Sequence, residues 1–304
     1  MLPPEIIKKI KKIHIKSGRL VNTVMAGQYR SVFRGSGIEF EEVREYSPGD
    51  DVKSIDWKVS ARMGRPYIKL YREERELVIM LLVDMSASGC FGTTENLKKE
   101  TAAEIASILA FNAIRNNDKV GAILFTDRVE KYIPPKKGAS HVWRVIKELF
   151  TFTPFHKKTD ISSALEYLGS VCRKKTISFL ISDFLSPGIE SGIKSDIKAG
   201  YLKQLKVVSK KHEFIGVIVS DPGEFYLPDA GIVTLYDLET GRQSVFDASD
   251  KKTRRAFEKQ KKEEYNNILA MLKTSDIDCM EVSTDSNASS VLTKYFRYRE
   301  KRIR

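Results

Sequence analysis

The hydrophobic pattern of the chain changes character near residue 76. Beyond that point, short apolar runs alternate with longer stretches of helical period. LVIMLLVD, residues 77–84, is an unbroken apolar run that stops on Asp84. Such continuity predicts a central strand covered on both faces. KVGAILFTD (119–127), TISFLISDF (176–184) and HEFIGVIVSD (212–221) repeat the pattern, and VEKYIPP reads as a short hairpin strand beside the second of them. Residues 96–116, 140–152 and 161–174 carry apolar side chains every three or four positions, which predicts helices. A hairpin-like stretch, GIVTLYDLETGRQSVFD, precedes a long charged helix at 250–273, a last strand in DIDCMEVST and a terminal helix at 288–301.

Strand alternating with helix predicts an α/β fold over residues 76–304: a doubly wound, mostly parallel, Rossmann-type sheet with helices on both faces. Ligands of such sheets bind beyond the carboxyl ends of the strands, at the point where the strand order reverses. Asp84, Asp183 and Asp221 all fall at predicted strand ends. Residues 1–75 differ in kind. Short β-like pieces, turn signals at Pro48-Gly49-Asp50 and Gly64-Arg65-Pro66, and dense charge predict a small β-rich N-terminal module. Its charges, Arg44, Asp50, Asp56 and Arg65 among them, read either as an ion-paired network or as an interaction face. Trp57, beside Asp56, reads as a core anchor.

Composition narrows the function classes. With 304 residues, 41% hydrophobic and 30% charged, the chain has the balance of a soluble globular protein. No run approaches the roughly 18–20 apolar residues that cross a bilayer, and the basic start, MLPPEIIKKIKKIHIKSGR, lacks the apolar region and cleavage site of a signal peptide. No transmembrane segment and a cytoplasmic location are therefore expected. Cys90, Cys172 and Cys279 form no paired motif, and the four histidines are scattered, so neither a disulfide framework nor a zinc site is indicated. The net charge is +12, and residues 251–304 hold 14 Lys and Arg against 8 Asp and Glu. Near the start, Ile6, Ile10 and Ile13 recur among lysines, as in a helix docked by one face. Basic ends of this kind can also bind a polyanion, either nucleic acid or an anionic membrane surface. In the C-terminal segment Val291, Leu292, Tyr295 and Phe296 are expected inward and the arginines outward.

The candidate chemistry lies where the first buried strand stops. Asp84, Ser86 and Ser88 put one carboxylate and two hydroxyls on one loop. Oxygen donors of this sort suit a hard cation such as Mg²⁺, which takes about six of them in a near-octahedral shell. Thr159, at the start of a predicted helix, and Asp183, at the end of the third strand, are placed to complete the set. In this order the five residues resemble the metal-ion-dependent adhesion site of von Willebrand factor A-like domains. That resemblance implies direct ligation by the two serines and the threonine, aspartates acting through water, and a partner's acidic side chain completing the shell of Mg²⁺ or Mn²⁺. The stretch GSGIEFEEVREYSPGDDVKSIDWKVSARMGRPYIKLYREERE, with SDPGEFYLPDAG and the charged helix, resembles the bacterial family called domain of unknown function 58. Many members have Met after the second site serine, where this chain has Gly89. The family resemblance implies a MoxR-type AAA+ ATPase as partner, in chaperone-like assembly or maturation of other proteins.

An enzyme would need other parts. No Gly-x-x-x-x-Gly-Lys loop and no Gly-x-Ser-x-Gly elbow is present. Asp84-Met85-Ser86 lacks the second carboxylate of an aspartyl-phosphate enzyme, and RGSGIEF (34–40) is followed by no helical pattern that would make it a dinucleotide loop. A bound metal still requires something to activate water before it hydrolyses anything. The reading is therefore a non-enzymatic, metal-dependent protein–protein interaction module, with polyanion binding through the basic termini as the alternative.

Overall fold

A computed structural model describes residues 39–72, 77–185 and 197–303. The lysine-rich start with Ile6, Ile10 and Ile13, and most of RGSGIEF, lie outside them. The chain divides into two compact units, one within residues 33–77 and one carrying residues 78–304.

In the smaller unit β1 (Glu39–Glu45) pairs antiparallel with β2 (Tyr67–Arg72), with one irregularity between Phe40 and Glu42. The unit also contains a helix that the hydrophobic pattern does not predict, α1 (Trp57–Met63). Asp56 starts it by accepting from the backbone N–H groups of Lys58 and Val59, and Gly64 ends it in the left-handed conformation at φ 70°. This arrangement corrects the reading of Trp57. Its place in the first turn, set by the Asp56 cap, leaves it 69% exposed rather than in a core. The charges are ion-paired: Arg44 holds Asp50 through two bonds of 2.6 and 2.9 Å, Arg65 meets Glu45 at 3.2 Å, and Lys69 meets Asp56 at 3.5 Å. Solvent screens pairs this exposed, so they set local geometry more than stability.

The larger unit has the predicted α/β, mostly parallel, von Willebrand factor A-like architecture. Among its described residues six strands form the sheet: β3 (Val78–Asp84), β4 (Lys119–Phe125), β5 (Val129–Lys136), β6 (Ile177–Ser182), β7 (Glu213–Ser220) and β10 (Asp278–Ser283). Their order is β10-β7-β6-β3-β4-β5, parallel except for the edge strand β5. β3 is central because its residues are apolar on both faces. Met80 and Leu82 join Ile123 and Phe125 in a core under α4 (Ile161–Val171), α5 (Ile197–Lys211) and α6 (Lys251–Thr274). On the opposite face lies α2 (Lys98–Arg115), which packs against β3, α3 (Ala139–Thr151) and α7 (Ala288–Ile303). Alanines at 102, 103, 106, 110 and 113 let α2 be buried nearly all round, not only on one stripe.

Helix α5 escapes the sequence pattern, although Tyr201, Leu205 and Val208 bury at helical spacing. Eight of its fifteen residues are polar or glycine, which dilutes the periodic signal. The terminal helix matches expectation in Leu292, Tyr295 and Phe296, which are buried, but not in every arginine. Arg299 turns back to Glu213 and Asp278, and Arg302 bonds Asp278 at 2.9 Å. β8 (Ile232–Tyr236) and β9 (Gln243–Asp247) form a separate hairpin outside the central sheet.

Where α5 runs into β7, His212 is only 2% exposed. Its Nδ1 accepts from the Thr176 backbone N–H at 3.3 Å and lies 2.9 Å from the Thr176 hydroxyl. Burial, reinforced by the charge of Lys211, pushes its pKa down to about 4. The unfolded chain takes up this proton near pH 6.5, the folded one only near pH 4. The stability tied to neutral His212 is thus complete above pH 6.5 and declines as the pH falls from there toward 4, at up to about 1.4 kcal/mol per pH unit. Urea unfolding of wild type and His212→Gln between pH 7 and pH 5 should show a steeper decline in wild type. Parallel curves would overturn this assignment.

Candidate metal site

Strand β3 ends on Asp84, and the chain turns at once. The Ser86 N–H donates to Asp84 Oδ1 at 2.9 Å, a local turn that leaves the Ser86 and Ser88 hydroxyls 3.0 Å apart. Ser88 lies in a short 3-10 turn, Ala87–Cys90. Gly89 in that turn lies close to α2: a Cβ there would stand 3.3 Å from the Lys99 Cβ. The Met85 N–H continues the pairing with β4 by donating to the Phe125 carbonyl at 2.8 Å. The Ala87 N–H donates to the Lys157 carbonyl at 2.9 Å, joining this loop to the one that carries Thr159. Thr159 precedes α4, whose first turn is capped by Asp160 accepting from the Ser162 N–H.

Asp183 follows β6 on the other side of β3, where the strand order reverses. The Ser182 hydroxyl donates to Asp84 Oδ2 at 2.7 Å, and the Leu185 N–H donates to Asp183 Oδ1 at 3.1 Å. Between them Phe184 adopts φ 59°, an uncommon conformation for a bulky residue, with its side chain fully buried. That burial holds the backbone turned, so Asp183 faces the crevice. Asp84, Ser88 and Asp183 line one small cavity with Ser182. Asp221, the third strand-end aspartate, does other work. Fully buried, it accepts from Thr93, Thr284 and the Gly223 N–H, and these bonds hold its carboxyl below the usual range although burial opposes them. It ties three loops together.

Three residues that sequence reasoning missed complete the site. Lys98, at the first position of α2, is 3% exposed, and its ammonium bonds Asp183 at 2.7 Å and Glu224 at 2.5 Å. Burial opposes its charge, but the two carboxylates outweigh burial and raise its pKa. Glu224 lies in the short turn after β7 and is shifted upward, chiefly by burial. Glu239, from the tip of the β8–β9 hairpin, accepts from the Thr159 N–H at 3.1 Å and the Thr159 hydroxyl at 2.7 Å. Burial first, then the charge of Asp183, shifts its carboxyl upward against the Thr159 bonds. Nothing local in DLETG distinguishes Glu239 from a solvated turn residue, and a lysine opening a helix is likewise unremarkable in sequence.

Four carboxylates therefore converge, Asp84, Asp183, Glu224 and Glu239, and the Lys98 ammonium pairs with two of them. Among the described residues Asp84 and Glu239 have no cationic partner. Burial first, then the charge of Asp183, pushes Asp84 up to about 7. The described residues include no cluster of three or more His, Cys, Asp and Glu side chains arranged for a metal. The donor set here is of another kind, three hydroxyls beside an excess of negative charge. Hydroxyl and carboxylate oxygens with surplus negative charge fit a hard divalent cation.

A mostly parallel sheet whose strand order reverses beside its central strand defines the class, a doubly wound α/β protein of von Willebrand factor A-like fold. More particularly, residues 42–267 match the model described as "Protein of unknown function DUF58", and the chain belongs to that family. An uncharacterized protein of Mycobacterium tuberculosis is 29% identical over 240 residues, covering 78% of this chain and 72% of that one. YeaD of Bacillus subtilis, also uncharacterized, is 32% identical over 108 residues, 35% of this chain and 25% of the relative. Among solved structures, the conserved hypothetical protein BatB from Bacteroides thetaiotaomicron overlaps 74% of this chain and 99% of its own, at 15% identity and TM-score 0.45. The SpRpn10 VWA domain overlaps 71% and 94%, at 12% identity and TM-score 0.38. No helix of the described residues is long and apolar enough to cross a membrane.

Lys98→Met should leave Asp183 and Glu224 buried without their cation. The expected loss of stability is about 3–5 kcal/mol, read by urea unfolding in metal-free buffer. A change below about 1 kcal/mol would show that solvent, not Lys98, balances these charges.

Proposed function

We propose that this chain is a non-enzymatic interaction module whose site binds a divalent cation, Mg²⁺ or Mn²⁺, and through it an acidic side chain of a partner protein. One observation carries the reading: hydroxyl donors and a surplus of buried carboxylate meet where the sheet order reverses. In this reading the hydroxyls of Ser86, Ser88 and Thr159 hold the cation, with Asp84 and Asp183 behind them. The bound cation supplies an electrophilic position that a carboxylate can fill. The family resemblance extends the proposal to a MoxR-type AAA+ ATPase as partner, in chaperone-like assembly or maturation of other proteins.

Isothermal titration with Mg²⁺ and Mn²⁺ should find about one ion per wild-type chain, no binding in Asp84→Ala, and affinity at least about tenfold weaker in Ser86→Ala. Circular dichroism of both variants separates loss of a ligand from loss of fold. A wild-type chain that takes up neither ion, alone or with a MoxR-type ATPase added, would overturn the reading. The partner is tested by capture of that ATPase in Mg²⁺ and its release in EDTA. Retention in EDTA would show that contact does not pass through the site.

A further inference from the structure

The hairpin that delivers Glu239 is built unlike the rest of the domain. Among the described residues β8 and β9 pair only with each other. The tip is internally braced: the Asp237 carboxylate accepts from the N–H groups of Glu239 and Thr240 and from the Thr240 hydroxyl. Gly241 closes the turn at φ 71°, a conformation that other residues adopt rarely, with its N–H on the Asp237 carbonyl at 2.7 Å. A tip organised in this way presents the Glu239 side chain in a fixed direction. At the base, Phe246 packs edge-on against Phe257 of α6, with ring centroids 5.6 Å apart.

Among the described residues the hairpin does not pack down between base and tip. Beneath it lies a cavity of about 450 Å³, bounded by residues 234–238 of the hairpin, by Phe257 and Tyr265 of α6, and by Lys98 and Asp183 of the site. The hairpin is an arch, anchored at Phe257 and touching the site through Glu239. Both carboxylate oxygens of Glu239 are engaged there, on the N–H and hydroxyl of the residue expected to ligate from the second loop. The first loop, which carries Ser86, is joined to that second loop by the Ala87 N–H on the Lys157 carbonyl at 2.9 Å.

We propose that Glu239 is the site's own ligand. It holds the position that a partner's acidic side chain would take, so a partner binds by displacing the arch. This deepens the metal-site reading and rests on it. The chemistry is a carboxylate-for-carboxylate exchange at one centre, with no covalent step. An intramolecular carboxylate on a short, braced hairpin competes at high effective concentration, so weak or solitary acidic groups are excluded. Among the described residues, lifting the tip breaks the two Glu239–Thr159 bonds and opens a cavity already present beneath it. A partner therefore needs an acidic side chain together with further contacts that offset displacement of the hairpin.

Two measurements on wild type, Glu239→Ala and Glu239→Gln test the proposal, with thermal melts confirming that each variant is folded. Hydrogen exchange without metal reads the contact itself. Peptides covering Thr159 and residues 232–247 should exchange faster in Glu239→Ala, and unchanged exchange there would overturn the arch. Water-proton relaxation of bound Mn²⁺ reads ligation. Glu239→Ala should gain about one fast-exchanging water on the ion, bind Mn²⁺ roughly tenfold more weakly, and let added acetate enter the shell at concentrations several-fold lower than in wild type, where it must displace Glu239. Glu239→Gln, which keeps the shape of the tip, should follow Glu239→Ala in the acetate response. If wild type binds Mn²⁺, Asp84→Ala does not, and both Glu239 variants match wild type in hydration and acetate response, the self-ligand is overturned while the metal site stands. If wild type binds no Mn²⁺, both fall, and faster exchange in Glu239→Ala would leave only a hairpin-to-Thr159 latch.

Discussion

Negative charge gathered in a small, nearly dry space is the constraint on which the upper edge of the sheet depends. Asp84 and Asp183 are each 8% exposed, and both stand at strand ends on either side of the reversal point. Carboxylates so placed repel one another and lose hydration, so the surrounding structure must supply positive charge or donors. The structure does both. Lys98 enters from the start of α2 to meet Asp183 and Glu224, while Asp84 receives the Ser182 hydroxyl and the Ser86 N–H. Asp84 nevertheless remains shifted upward, to about 7. That residual imbalance is what the proposed divalent cation would relieve.

The same requirement explains how the loops are arranged. Donors and acceptors on one loop are met in part by its neighbours. Ala87 bonds Lys157 across the first two loops, and Asp221 gathers Thr93, Gly223 and Thr284 at the β7 edge. The close fit at Gly223 shows how tightly these loops approach, since a Cβ there would collide with the Thr93 side chain. Bonds of this kind hold the hydroxyls of Ser86 and Ser88 3.0 Å apart. Preorganisation lowers the cost of binding, because little order remains to be imposed.

Much of this fold is legible in the chain because its signals are strong and local. The four central strands are continuous apolar runs, and each predicted span overlaps the observed strand to within a few residues. Where signals are weak or compete, the pattern misleads. Helix α5 buries Tyr201, Leu205 and Val208 among lysines that blur the period, and α1 hides in a segment dense with turn residues. Size alone argues for Trp57 inside, yet the neighbouring Asp56 cap decides its direction and turns it outward. Local hydrogen bonding there outweighs the tendency of a large aromatic to bury.

The order of amino acids is enough to dictate the alternation of strand and helix, the sheet's polarity, and the strand ends on which Asp84 and Asp183 stand. Those features follow from periodicity and from the chain's need to bury apolar runs on both faces of a sheet. What meets those aspartates is settled by packing in three dimensions. Lys98 stands 85 residues before Asp183, and Glu239 stands 80 after Thr159. No local pattern marks either side chain, because each reads in isolation as a solvated charge. Their proximity comes from α2 settling on the sheet and from the hairpin arching over from α6. Charge is balanced in space and not along the chain, so the balance at this site exists only in the folded molecule.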